Sequence, residues 1–157
     1  MDQPTDLQLS PSYGPFINNR FQPVAGETFA ARCAGTGQEL ARLARCGQAE
    51  IDQAVRAAQQ AFPAWRATMP EQRSALLLKL ADAMEANQER LARIDALDNG
   101  RRIGEVRYDY QLAIAQYRYF AAAIVTHEGF GRPIPNGYLV AKREPYGVCG
   151  QIIPWNV

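Results

Sequence analysis

A chain of 157 residues has the length of one domain. At 47% hydrophobic and 21% charged residues it carries enough apolar material for a core, so disorder is not the expectation. Its net charge of +1, with acidic and basic residues intermixed, excludes an electrostatic case for nucleic acid or an anionic membrane surface. No apolar stretch approaches a membrane span, and the opening "MDQPTDLQLS" is acidic and polar, unlike a signal peptide. A cytoplasmic protein without a membrane partner is the expectation. Cys33, Cys46 and Cys149 are odd in number, widely spaced and free of a CxxC pair, which fits reduced thiols rather than a disulfide framework or zinc site. His127 is the only histidine, so a histidine-based catalytic triad cannot be assembled convincingly, and its place beside "EGFG" suits a helix end.

In chain order, residues 1–14 read as a flexible N-terminus. "PFINNRFQ" then predicts a hairpin, because Asn18 and Asn19 tolerate positive φ between apolar Phe16, Ile17 and Phe21. "ETFAARCAGTGQELARLARC" predicts two further strand-like pieces around the turn "GTGQ". From Glu50 the period changes: Ile51, Val55, Ala58 and Phe62 form a helical stripe, which Pro63 is expected to end. A second helix is expected from "TMPEQR", with Thr68 and Glu71 at capping-box spacing, Pro70 in the first turn, and Leu76, Leu77, Leu80, Ala81 and Met84 buried. Asn87 should stop it and cap a third helix carrying Leu91, Ile94 and Leu97, which ends at Gly100. The longest helix is expected from Gly104 to His127. Its Tyr108, Tyr110, Tyr117, Tyr119 and Phe120 spread over more than one face, so it needs several neighbours and should be central.

Residues 15–135 therefore read as hairpins and helices. Residues 136–146 read as an extended arm, with a turn at Asn136-Gly137, a strand from Tyr138 to Glu144 and Pro145 barring a central strand. An exposed edge of that kind is usually covered, often by another subunit. Residues 147–157, with "VCGQII", read as a strand buried on both faces of a parallel sheet. Cys149 inside it is expected to be a packed, inert thiol.

"EPYGVCGQIIPWN" resembles the segment that opens the cofactor-binding domain of NAD(P)-dependent aldehyde dehydrogenases. The resemblance extends through "EIDQAVRAAQQAFPAWRA", "RSALLLKLADAMEANQERLARIDALDNGRR" and "YRYFAAAIVTHEG", in the family's order, over about Pro15 to Val157. It implies an α/β fold whose N-terminal part comprises hairpins, helices, an oligomerisation arm and the first strand of a Rossmann-like parallel sheet, about a third of a full enzyme. It implies an aldehyde oxidised to the carboxylic acid with NAD or NADP through a cysteine thiohemiacetal and thioester. The family's nucleophilic cysteine, in Gly-Gln-x-Cys, and general-base glutamate, in Glu-Leu-Gly-Gly, do not occur here, so this chain alone is expected to be inactive.

By the same resemblance Asn156 carries the oxyanion role, and Ile152, Ile153, Pro154 and Trp155, together with Asn156, line the cofactor site. Asp98 in "LDNG" matches an aspartate that helps hold a structural monovalent cation. The partners implied are a small aldehyde substrate and further copies of the enzyme, as a homodimer or homotetramer. Two departures stand out: "CAGTGQ" replaces the family's usual Asn-Pro-Ala-Thr-Gly-Glu turn, and Cys149 stands where valine is common. GxGxxG is absent, which argues against a generic dinucleotide-binding protein. The alternative function is a non-catalytic, truncated module that associates with a full-length relative.

Overall fold

The computed structural model describes residues 7–154; Trp155, Asn156 and Val157 lie outside them. The first hairpin pairs β2 (Phe16–Ile17) with β3 (Arg20–Phe21), and both turn residues, Asn18 and Asn19, have positive φ. That is the geometry a two-residue hairpin needs and the reason for the Asn-Asn pair. The Gln22 N–H donates to the Pro15 carbonyl at 2.9 Å and closes the loop. Gly14 runs so close to the Gln22 carbonyl that a Cβ there would sit 2.1 Å from its oxygen.

The expected second hairpin is β4 (Thr28–Arg32) against β5 (Glu39–Ala44), antiparallel, with a register shift between Ala31 and Arg32. The expected flexible lead-in differs from the structure at its end. Leu7 is buried, and β1 (Ser12–Tyr13) pairs in parallel with β5 to give the order β1-β5-β4. The short run "SY" carries too few residues for its period to be read, and β5 supplies the partner that makes it a strand.

Helix α1 spans Gln48–Arg66. The Gly47 N–H donates to Glu50 Oε2 at 2.7 Å, satisfying a donor at its start and holding the Glu50 carboxyl below its ordinary pKa. Pro63 does not end the helix. It removes one interior hydrogen bond, but the Ala67 N–H still donates to the Pro63 carbonyl and closes the last turn. The stripe is helical yet not buried: Ile51, Val55 and Ala58 are exposed and only Phe62 is half-buried.

Helix α2 (Pro70–Ala86) starts one residue later than the Thr68–Glu71 box requires. Pro70 occupies the first turn, so Met69 is the capping position and its N–H donates to Gln72 Oε1 at 2.9 Å. Thr68 instead closes α1, its hydroxyl donating to the Trp65 carbonyl. Of the expected buried stripe only Ala81 is fully buried; Leu77 and Met84 are half-buried, and Leu76 and Leu80 are exposed.

Asn87 ends α2 as expected but does not cap α3 (Gln88–Asn99) with its side chain, whose Nδ2 donates back to the Ala83 carbonyl at 2.8 Å; Gly100 ends α3 in the left-handed conformation at φ 78°. Helix α4 (Ile103–Ala123) continues as a 3-10 turn, Ile124–Thr126, with His127 at its end. It is central, as its residue pattern implied: α2 and α3 both pack on it. The core of this block is made by Ala81, Ala92, Val106, Ile114 and Ala121, where small residues let helix backbones approach. Outside it, Arg118 reaches from α4 to Asp82 at 3.0 Å and Glu85 at 2.7 Å on α2.

The arm is a hairpin rather than a single strand. β6 (Phe130–Ile134) pairs antiparallel with β7 (Gly137–Ala141). Its turn lies at Pro135-Asn136, one position earlier than expected, because proline's fixed φ suits the first central turn position while Gly137 already pairs with Ile134. β7 ends at Ala141 and not at Glu144. Residues 147–154 form no strand, contrary to the expected buried run in a parallel sheet. A parallel strand exists only when neighbours take its N–H and C=O groups, and none of the described residues does so here.

Candidate functional site

The residues to which the sequence assigned a site come from the chain's last stretch and from the end of α3. After β7 the backbone passes the C-terminal end of α1, where a side chain on Gly147 would meet the Phe62 ring at 4.0 Å. Gly147 turns the chain at φ 103°, a conformation that favours glycine. Lys142 pairs with Glu144 at 3.1 Å and, with a smaller contribution from Arg66, holds the Glu144 carboxyl below its ordinary pKa. Beyond the turn, Ile152 and Ile153 are 101% and 72% exposed, and Pro154 is exposed too. Trp155 and Asn156 lie outside the described residues.

Cys149 is exposed and not packed. The strand expected to bury it is not formed, and its thiol reaches only the Gly147 carbonyl, at 3.7 Å.

Asp98 is exposed in the last turn of α3. The "CAGTGQ" turn does come to this place: the Ala34 N–H donates to the Leu97 carbonyl at 3.0 Å, and a Cβ on Gly100 would meet the Ala34 methyl at 3.0 Å. The hairpin turn and the Asp98 turn are thus adjacent. Among the described residues no group of three or more His, Cys, Asp or Glu side chains could hold a metal ion, so a cation here would depend on backbone carbonyls.

A feature that the sequence did not single out lies between α3 and α4. Asp95, Asp109, Tyr110, Leu112, Ala113 and Gln116 line a cavity of about 300 Å³. Asn99 Nδ2 donates to Asp95 Oδ1 at 2.7 Å, and the Asn99 side-chain oxygen accepts from the Arg101 N–H at 2.8 Å. The Arg101 guanidinium pairs with Asp109. Burial pushes the Asp95 carboxyl up; the Arg101 charge opposes this, while Asp98 and Asp109 add to it. Burial, aided by the Asp95 charge, also pushes the Tyr110 phenol up. Asp95 is thus held within the last turns of α3, and Asp109 ties the start of α4 to the loop residue Arg101. The i, i+4 spacing of Asp95 and Asn99 was the available signal, but only the packing of α4 supplies Asp109 and Tyr110.

Comparison with known proteins decides what this arrangement belongs to. Residues 21–157 match the aldehyde dehydrogenase family. The chain belongs to that family.

The chain is 42% identical over 154 residues to an acetaldehyde dehydrogenase of Pseudomonas aeruginosa, covering 96% of this chain and 30% of that protein. It is 43% identical over 154 residues to an EPTC-inducible aldehyde dehydrogenase of Rhodococcus erythropolis, again covering 96% and 30%. Among solved structures, PnpE from Pseudomonas sp. WBC-3 is similar at 38% identity and a TM-score of 0.83, over 89% of this chain and 29% of that one. PnpE in complex with nicotinamide adenine dinucleotide is similar at a TM-score of 0.77 and 36% identity, over 82% and 27%. The chain thus spans about 30% of the length of these relatives. Its mixed helices and strands are the N-terminal part of the family's α/β fold. Among the described residues no helix is long and apolar enough to cross a membrane.

Proposed function

We propose that this chain is the N-terminal portion of an oxidoreductase that converts a small aldehyde to the carboxylic acid with NAD or NADP. The family match over residues 21–157 is the observation that carries this reading. The NAD-bound PnpE structure supports the cofactor assignment. Because the chain spans about 30% of its relatives, cofactor binding belongs to the complete enzyme, as do the cysteine nucleophile and the glutamate base. On its own this chain produces no NADH from acetaldehyde.

Within the complete enzyme, Ile152, Ile153, Pro154 and Trp155 contribute cofactor lining. The side-chain N–H of Asn156 donates to the aldehyde oxygen as thiolate addition turns it into an alkoxide. Such a donor is worth roughly 2.7–4 kcal/mol in comparable oxyanion holes, because the charge it meets develops only on the way to the transition state. Asp98 contributes to a monovalent-cation site with carbonyls of the adjoining hairpin turn. β6–β7 serves as an arm for a homodimer or homotetramer; its support is that all of β6 and four of five β7 residues are exposed. The enzyme works in the cytoplasm.

The test is turnover of the full reading frame that contains these residues, followed as NAD(P)H formation at 340 nm. Asn156→Ala should lower kcat by about a hundredfold or more with little change in cofactor affinity, and Asn156→Asp should be worse. Near-normal turnover per folded site, with only a lowered melting temperature, would reduce Asn156 to a turn-shaping role.

A further inference from the structure

The ribbon β6–β7 has two outer edges, and its prolines make them unequal. Phe130 stands opposite Ala141, Arg132 opposite Leu139 and Ile134 opposite Gly137. Pro133 and Pro135 have no N–H, so the pairing at the turn is made by bonds that Ile134 and Gly137 exchange with each other. Along an antiparallel pair, positions that exchange bonds alternate with positions that do not. Arg132 with Leu139, and Phe130 with Ala141, therefore also bond across the ribbon. Gly131 and Pro133 on β6, and Tyr138 and Val140 on β7, turn their main-chain polar groups outward.

The β6 edge is blunted. Pro133 offers no donor there, and its ring stands where an added strand would lie. The β7 edge has no such guard: Tyr138 and Val140 each present an N–H and a C=O, two positions apart, as an added strand requires. Among the described residues β7 pairs with no strand but β6. The Tyr138 and Val140 side chains share one face and are 65% and 70% exposed. On that face the Tyr138 ring lies across Gly131, where a Cβ would sit 2.7 Å from it. This contact stiffens the ribbon and leaves its β7 edge open.

We propose that two copies of this 157-residue chain associate by antiparallel pairing of their β7 edges, centred on Val140. Antiparallel self-pairing is two-fold symmetric, so one edge supplies both halves of a closed contact. Charge selects the register. Lys142 follows Val140 by two positions, and centring the pair on Lys142 would set two ammonium groups opposite each other. Centring on Tyr138 would set Val140 against the turn residue Asn136 of the other copy and shorten the ladder. Centring on Val140 sets valine on valine and each Lys142 opposite the partner's Tyr138, a cation beside an aromatic ring. The inference deepens the arm reading above by naming the edge, the occupant and the register.

Sedimentation velocity of the chain over a dilution series should show a concentration-dependent dimer, weak because a single strand edge buries little area. Val140→Pro removes the central outward N–H from each copy and spares the bonds to β6. It should weaken the dimer roughly tenfold or more. Should circular dichroism show that this variant misfolds, two charge variants are read instead. Val140→Asp and Val140→Lys each set like charges at the two-fold and should sediment as monomers, whereas an equimolar mixture of the two should recover the dimer. A wild-type chain that stays monomeric throughout overturns the proposal. So does a dimer that survives a folded Val140→Pro or Val140→Asp, and so does a mixture that stays monomeric. The arm reading is tested on subunit association of the complete enzyme, so it stands or falls separately.

Discussion

Helices α2–α4 and the hairpin β6–β7 both carry large apolar side chains, but they end in opposite states. Val106 and Ile114 are closed off by neighbouring helices. Phe130, Tyr138 and Val140 stand 61–70% exposed on a ribbon of two strands. A helix pairs its own backbone and needs only a matching face to bury a stripe. A two-stranded ribbon leaves an unpaired edge on each strand, and it gains a core only from something laid against it. Apolar content therefore says little about burial until the number of available neighbours is known.

The sharpest way to break this contrast is to cut into the block. Ile114→Ala should lower unfolding free energy by roughly 2–5 kcal/mol, measured by urea denaturation, because the neighbouring helices cannot fully collapse around the lost atoms. A loss within the range of surface substitutions would mean that the block is no better packed than the arm.

Gly100→Ala probes the junction where the block meets the second hairpin. A left-handed residue with a Cβ costs roughly 1–2 kcal/mol, and here the new methyl would also press on Ala34. Thermal unfolding should register the loss, and Gly100→Asn, which tolerates positive φ better, should lose less.

Arg118→Ala removes the pairing with Asp82 and Glu85. All three side chains are substantially exposed, so the melting temperature should fall by only a few degrees at low salt. The difference between wild type and variant should shrink in ~1 M salt, where the screening length falls to about 3 Å. A large, salt-independent loss would show that packing of the arginine stem matters more than its charge.

The smallest effect belongs to the arm. Val140→Lys should change the stability of this chain by no more than ~0.5 kcal/mol, since the side chain is 70% exposed. In the complete enzyme the same substitution should weaken subunit association, measured by sedimentation. A marked loss of stability in the isolated chain would place Val140 in a core and undo the comparison.

Most of the local structure was legible because its signals are local. Asn18-Asn19 announced a turn, since few other residues accept positive φ twice in succession. Gly100 announced a helix end for the same reason. The spread of aromatic residues around α4 announced a helix with several neighbours. The misses have physical causes of equal weight. Thr68 and Glu71 have the right spacing for a cap, but Pro70 moved the helix start and gave the role to Met69 and Gln72. Pro63 has the right chemistry for a helix stop, but one missing N–H near the end of a helix is survivable. β1 is too short to carry a pattern at all.

The candidate site was legible only through likeness. "EPYGVCGQIIPWN" pointed to the aldehyde dehydrogenase family, and the family match bears that out. No spacing within the chain could have led to Asn156 alone, and the described residues do not test its role. The groove of Asp95, Asp109 and Tyr110 went unread for the opposite reason. Its members come from two helices, and nothing in the sequence states how those helices dock.

The sequence by itself determined the order and kind of most elements, the turn residues and the family, because backbone preferences and side-chain periods act within a few neighbouring positions. Only the tertiary structure decided which stripes are buried. Ile51 and Val55 on α1 obey the same helical period as Val106 and Ile114 on α4, yet the first pair meets water and the second meets packed helices. Hydrophobic burial depends on the area another surface removes from water. That surface comes from a distant part of the chain, and no local pattern encodes whether it is there.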